Sequence, residues 1–567
     1  MEEKVQRIVV IGLDGATPQL IWPWIKASKL PTLAKLVAEG VHGDLRSTIP
    51  PISPTAWSSF ATGKNPGQHG VFDHVRRRAG CYELEPINAS KRRGQPLWRL
   101  LSNHGFKVGV VNVPGTYPPE PVNGYMVTGM FTPSKESTYT FPASLAQELD
   151  TATGGYALFS DARKQDDYDE VLNTLHDTRR NRVKAVSYLL GKYPTDFFMF
   201  VFDETDRAQH KFWKFMDPTH PRHQAGESKK YQNALLELHQ QIDQDLAQIL
   251  QNCDDETVVI VMSDHGFGPL YKHFYLNNWL LEQGYLKLRQ RSSTQLKYLF
   301  YRLGITPDNL LEIIARLKLG LPNRVISSAK QARTRDRKSI LRRLLLSVSD
   351  VDWMATTAYV LGGNLAGVYL NVKGREPQGV VERGPAYDQL RGEILEKLRS
   401  LQDPDTGDRI FAEIFTREEV YAGPSLEQAP DIVFMTAGDR YLAQGAHEYM
   451  FASNKMVDMP RWPPDSGTHQ RDGILVMHGQ PFQAGARLHQ AEIIDLAPTI
   501  LFLMGVPIPR DTDGQVLQSA FQTQYLAQHP IHYTTPTEAG SPSSEIGFSA
   551  EEEAIITERL ESLGYLG

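Results

Sequence analysis

Short apolar runs alternate with amphipathic stretches over the first 270 residues. Residues 7–13, 107–113, 125–129, 196–202 and 257–262 read as strands, being rich in Val, Ile, Phe and Tyr. Their apolar positions run largely unbroken, as in strands buried on both faces of a sheet. Helical periodicity fills the intervals, so the pattern predicts an α/β fold of βαβ units: a central, mainly parallel sheet flanked by helices. From 286 to 348 the pattern turns amphipathic and basic, which predicts a helical insertion forming a cap beside the sheet. Sheet-like patterning returns at 357–372 and at 473–478, and the run from Asp495 reads as a helix closed by Gly505. Residues 533–548, rich in Thr, Pro, Ser and Gly, read as a linker, followed by a terminal helix over 550–563. The expected division is a catalytic core of 1–285 and 349–530, a basic helical insertion at 286–348, and a flexible linker with a C-terminal helix at 531–567.

Length and composition narrow this picture. At roughly 150 residues per domain, 567 residues suit either several domains or one large α/β domain with an insertion. The 41% hydrophobic and 22% charged content excludes collagen, a wholly disordered chain and a bundle of membrane spans. The most apolar runs, 197–202 and 493–506, are too short or interrupted to span a bilayer. Only Cys81 and Cys253 are present, which argues against a disulfide framework and a Cys-rich zinc site. The charged Met1-Glu-Glu-Lys runs straight into the first strand without an apolar leader, so the expected location is cytoplasmic. Net charge is −6, yet residues 287–343 hold 15 Lys and Arg against Asp308, Glu312 and Asp336, a local +12 that leaves −18 for the remainder. Such a segment suits contact with a polyanionic substrate or an anionic membrane surface, or is simply a solvated basic face over a small helical core. No nucleic-acid-binding module and no phosphate-binding Gly-x-x-x-x-Gly-Lys-Ser/Thr loop is evident, and the sequence sets no oligomeric state.

Five segments carry candidate chemistry. Asp14 follows the first strand, and Ser53 opens Ser53-Pro-Thr-Ala-Trp-Ser-Ser-Phe-Ala-Thr-Gly63. Asp206 and His210 are spaced i, i+4, on one face of a helix; Asp264-His265 follows a buried strand; His469 closes Ser466-Gly-Thr-His. Each has a structural reading as well. An Asp after a strand caps helices, Ser before Pro is a helix start, and an i, i+4 pair decorates surface helices. What those readings leave unexplained is that Asp14, Asp206 and Asp264 all fall at the carboxyl ends of strands, where open α/β sheets gather their ligands. Three carboxylates and three imidazoles suffice for two divalent ions, and mixed nitrogen and oxygen donors suit Zn²⁺, with Mn²⁺ or Fe as alternatives. Two ions about 4 Å apart can clamp the attacking and leaving oxygens of an in-line displacement at phosphorus.

This constellation resembles the alkaline phosphatase superfamily, in particular its type I phosphodiesterase/nucleotide pyrophosphatase branch, over residues 9–517 without the basic insertion. In that branch the nucleophile lies nine residues before the Thr of a Thr-Gly pair; counting back from Thr62-Gly63 reaches Ser53. Gln68-His-Gly-Val-Phe, Asp495-Leu-Ala-Pro-Thr and Asp511-Thr-Asp-Gly514 are also similar to the family. The resemblance implies one metal held by Asp14, Asp264, His265 and the Ser53 oxygen, and a second held by Asp206, His210 and His469. It implies a substrate-phosphoryl contact at the position of His74, where relatives carry Asn. The sulfatase branch needs Pro and Arg two and four residues after its nucleophile; Thr55 and Trp57 stand there, which disfavours that activity.

The expected function is a metal-dependent hydrolase of small phosphate esters, foremost a phosphodiesterase or nucleotide pyrophosphatase acting through a phospho-serine intermediate. A phosphomonoesterase or phosphotransferase/mutase on the same core is the alternative, and would call on a cation such as Arg207, Arg163 or Arg461. A non-catalytic binding protein is disfavoured because every ligand position is filled.

Overall fold

The computed structural model describes residues 5–159, 167–307, 309, 344–362, 367–445, 450–459, 465–536 and 547–562. At its centre is a nine-stranded sheet made of β1 (Ile8–Leu13), β2 (Val41–Arg46), β3 (Val108–Val113), β4 (Gly124–Thr128), β5 (Thr140–Phe141), β6 (Phe197–Phe202), β7 (Val258–Met262), β8 (Asp472–His478) and β9 (Arg487–Glu492). Their spatial order is β9-β2-β8-β7-β1-β6-β3-β4-β5. The run from β7 through β1, β6 and β3 to β4 is parallel, whereas β8 lies antiparallel to both β2 and β7. The sheet is therefore mainly parallel, and β1 lies at its middle.

The unbroken apolar runs have the expected cause. Val9, Ile11 and Leu13 of β1 join one core with Phe198, Phe200 and Phe202 of β6. Ile8 and Val10 point the other way into a second core with Phe197, Met199 and Val201. Helices cover both faces, so neither residue parity can be polar. The run after Asp495 is a buried helix, Leu496–Leu503, and Gly505 takes φ +65° just beyond it.

Residues 357–372 do not rejoin the central sheet. Ala358–Tyr359 and Gly367–Leu370 pair antiparallel and combine with Ile432–Thr436 and Phe411–Thr416 in a separate four-stranded sheet. A third core beneath it gathers Phe274, Trp279, Trp353, Val368 and Phe434. Period-2 and buried-strand patterns reveal a strand but not its sheet, which is why sequence patterning does not separate the two. Of the basic insertion, the helix Ser292–Arg302 and the 3-10 turn Val348–Asp350 are described; residues 308 and 310–343 lie outside the described residues, as does 537–546 of the linker. The terminal helix Ala550–Ser562 packs Ile556 and Leu560 against Val71, Val75, Ile87 and Phe131, and Arg559 donates to the Pro133 carbonyl at 2.7 Å.

Candidate active site

The carboxyl end of β1 is where the predicted residues meet. Asp14 follows β1 directly, and its amide donates to Phe202 O at the end of the neighbouring β6. β6 leads into helix α1 of the site's far side, Glu204–Met216, whose first turn holds Asp206 and whose next turn holds His210. Asp264 and His265 lie two and three residues beyond β7. Ser53 opens the helix Ser53–Thr62, whose ten residues are all buried and which Gly63 closes at φ +66°. His469 sits on the short strand Gly467–Gln470, paired antiparallel with Gly266–Pro269.

Ser53 Oγ lies 3.3 Å from Asp14 Oδ1 and 3.2 Å from His265 Nε2. His265 Nε2 in turn is 3.6 Å from Asp14 Oδ1 and 3.4 Å from Asp264 Oδ2. On the other side His210 Nε2 and His469 Nε2 stand 3.1 Å apart, and both face Asp206 Oδ1, at 3.5 and 3.1 Å. The His265 and His469 rings stack with centroids 3.9 Å apart, joining the halves. Two sets of donor atoms each lie within 4.8 Å of one another: Asp14, Asp264 and His265; and Asp206, His265 and His469.

The imidazole orientations have a readable cause. His265 Nδ1 is 3.0 Å from Gly266 O, His210 Nδ1 3.1 Å from Gly467 O, and His469 Nδ1 3.1 Å from Pro51 O. A carbonyl only accepts, so each Nδ1 carries a proton, and each Nε2 faces the carboxylates, to which it donates when the ring is charged and offers a lone pair when it is neutral. An Nδ1–H held by the backbone, with Nε2 aimed at the carboxylates, is the arrangement that orients metal-ligating histidines.

Electrostatics point the same way. Burial, then the neighbouring Asp264 and Asp206, raise Asp14 well above the usual carboxylate range. Burial likewise pushes Asp264 up to about 8. Burial would raise Asp206 too, but His210 and His469 hold it well below the usual range. His469 is driven down to about 3 by burial and by His265. Asp264 Oδ2 is buried without a hydrogen-bond donor. Imidazole Nε2 atoms crowded 3.1 Å apart, clustered carboxylates and an orphaned oxygen are what a divalent cation resolves, so the residues present fit metal ions.

Several supporting residues escape motif reading. Trp57 Nε1 donates to Asp14 Oδ2 at 3.2 Å; its spacing of four from Ser53 is the available signal, since both then share a helix face. The Gly15 amide donates to Asp264 Oδ1 at 3.2 Å. Arg182, wholly buried, pairs with Glu204 at 3.0 Å and with Asp203, anchoring the helix that carries Asp206. No local pattern marks Arg182, which lies in a long helix, Tyr168–Lys192.

Seven of the eight predicted site residues are thus brought together. His74 is wholly buried, and its described contacts are with Asp73, at 3.1 Å, and the Phe131 ring. Among the cations a monoester would need, Arg207 donates to Asp203 Oδ2 at 2.9 Å, and Arg163 and Arg461 lie outside the described residues.

The sequence profile described as Type I phosphodiesterase / nucleotide pyrophosphatase matches residues 8–465. No curated protein matches the chain in sequence. Among solved structures, phosphonoacetate hydrolase from Sinorhizobium meliloti 1021, in complex with phosphonoformate, is similar at 14% identity and TM-score 0.49, covering 87% of this chain and 94% of its own. Murine ectonucleotide pyrophosphatase/phosphodiesterase 5, an inactive form in complex with AMP, is similar at 12% identity and TM-score 0.45, covering 88% and 95%. The human counterpart has the same identity and TM-score, covering 92% and 99%.

Proposed function

The chain belongs to the type I phosphodiesterase/nucleotide pyrophosphatase family and is a metal-dependent phosphoester hydrolase, and from that premise we propose that it cleaves phosphodiesters or pyrophosphates with Ser53 as the nucleophile. The observation carrying this reading is the position of Ser53 Oγ, at a helix start and within 3.3 Å of both Asp14 and His265. We assign Asp14, Asp264, His265 and Ser53 to one metal ion, and Asp206, His210 and His469 to the other. The mixed nitrogen and oxygen donors favour Zn²⁺, with Mn²⁺ or Fe as alternatives. When bound, such ions lower the pKa of a coordinated hydroxyl and neutralise charge on phosphoryl oxygens.

The protein's own groups then do the following. The Ser53 hydroxyl gives its proton to solvent water and attacks phosphorus in line; the bond to the leaving oxygen opposite breaks, and that oxygen leaves as an alcohol or phosphate, taking up a proton from water where it needs one. The start of helix Ser53–Thr62 favours the negative charge that gathers there. A covalent phospho-serine results, still carrying the retained ester group when the substrate is a diester. Water attacks from the vacated side and regenerates Ser53. The three backbone carbonyls at Gly266, Gly467 and Pro51 keep the imidazoles in one tautomer throughout. His74 keeps its proposed contact with the substrate phosphoryl; it is buried, as are Ser53, Asp264 and His265. The engagement of Arg207 by Asp203 supports a diester over a monoester, whose extra charge needs a free cation.

Metal-reconstituted protein and its Ser53→Ala variant, assayed on bis-p-nitrophenyl phosphate and p-nitrophenyl phosphate with metal content measured, test this. The expected result is diester preference, a rate loss on the order of 10³-fold or more in the variant, and retained metal. Equal turnover by the variant overturns the assignment, and a monoester preference moves it to a phosphatase.

A further inference from the structure

The helix Ser292–Arg302 is apolar on two sides. Its inner side is anchored: Tyr301 is buried with its ring 5.2 Å from Phe451, and Thr294 Oγ1 and Lys297 Nζ both reach Asp350, at 3.0 and 2.9 Å. Among the described residues, nothing packs over its outer side. Leu296, Leu299 and Leu303 are 50%, 52% and 69% exposed, and among the described residues they are three of the five large apolar side chains at least half exposed. At helical spacing, these leucines and the half-buried Phe300 fall within an arc of about 100°. That is a continuous stripe rather than scattered surface leucines.

Charge rims the stripe. Residues 283–307 contain Lys287, Arg289, Arg291, Lys297 and Arg302 and no acidic residue, in a chain whose net charge is −6. Arg291 and Arg302 are exposed at the two ends of the helix, whereas Lys297 is paired with Asp350, and Glu282 and Asp308 border this window. A second copy docking here about a twofold axis would set these cations against their own images. A surface that offers both apolar depth and negative charge meets both halves of the pattern. No described helix is long and apolar enough to cross a membrane, so contact would be lateral.

We propose that this helix seats the protein on an anionic lipid surface, with Leu296, Leu299 and Leu303 entering the headgroup boundary and Arg291 and Arg302 pairing with lipid phosphates. This contact is independent of the chemistry assigned to Ser53. It places the enzyme at a bilayer without dictating that a lipid is its substrate.

The test is flotation of the full-length protein with vesicles of phosphatidylcholine alone or with about one-third phosphatidylglycerol. Anionic vesicles should carry the protein and neutral ones should not, and binding should weaken as salt rises from about 0.1 to about 0.5 M. The combined Leu296→Ser, Leu299→Ser, Leu303→Ser variant and the combined Arg291→Glu, Arg302→Glu variant should each lower the partition coefficient about tenfold or more. Both should melt at the wild-type temperature, because none of these side chains packs the core. Failure to float, or equal flotation with neutral vesicles, overturns the proposal. So does a concentration-dependent dimer in light scattering that the serine variant abolishes, which would assign the stripe to a second copy.

Discussion

Replacing Trp57 with Phe isolates one strut of the candidate active site. The indole Nε1 donates to Asp14 Oδ2 at 3.2 Å, while the ring packs against Phe60 and abuts Gly12 of β1. Phenylalanine keeps most of the ring and removes the donor. A hydrogen bond to a charged group contributes about 1.5–3 kcal/mol, and at about 1.4 kcal/mol per decade this is a loss of about 10- to 150-fold in affinity for the ion that Asp14 holds. The direction follows from protonation as well: the Trp57 bond lowers an Asp14 pKa that burial has raised, so without it protons compete harder with the metal. The smaller ring also leaves a void, costing about 1–3 kcal/mol of global stability. The two effects are separable, since metal affinity is read by chelator competition on folded protein and stability by urea denaturation. A variant that loses stability but binds metal within about threefold of wild type would show that Trp57 only packs and does not support Asp14 as a ligand.

Other predictions follow from the same geometry. Gly12→Ala puts a Cβ 2.6 Å from the Trp57 ring and 2.9 Å from Val201; urea denaturation should show a loss of about 1–3 kcal/mol. Arg182→Met strands the buried carboxylates of Asp203 and Glu204, and the same measurement should record a loss of about 3–5 kcal/mol. In metal-free protein Asp264 titrates at about 8 against an unfolded value near 3.8. Its contribution to stability is complete below the unfolded value and is lost as pH rises through 8. The melting-temperature gain on adding metal should therefore grow from pH 5 to pH 8; a gain independent of pH would contradict the burial of that carboxylate.

The parts of the molecule legible in the sequence are those whose cause is local. Unbroken apolar runs marked β1, β3, β6 and β7 because both faces of these strands are covered. The i, i+4 spacing of Asp206 and His210 placed both on one helix face; Ser53 came instead from the resemblance to the family, counted back from Thr62-Gly63. What stayed hidden depends on long-range contact. Ala358–Tyr359 and Gly367–Leu370 look like strands of the central sheet, and only their pairing with Ile432–Thr436 shows otherwise. The carbonyls of Pro51 and Gly467 that set the imidazole tautomers have no side-chain signature. Arg182, in mid-helix, resembles a solvated basic residue until Asp203 and Glu204 fold over it.

The covalent bond proposed between Ser53 and phosphorus is open to test through the stereochemical course of hydrolysis. A diester made chiral at phosphorus with sulfur is hydrolysed in ¹⁸O-labelled water, and the configuration of the product is read by ³¹P NMR. Two successive in-line displacements, first by Ser53 and then by water, each invert the centre, so the expected outcome is net retention. Net inversion would mean a single direct attack by water and would contradict the assignment of Ser53 as nucleophile.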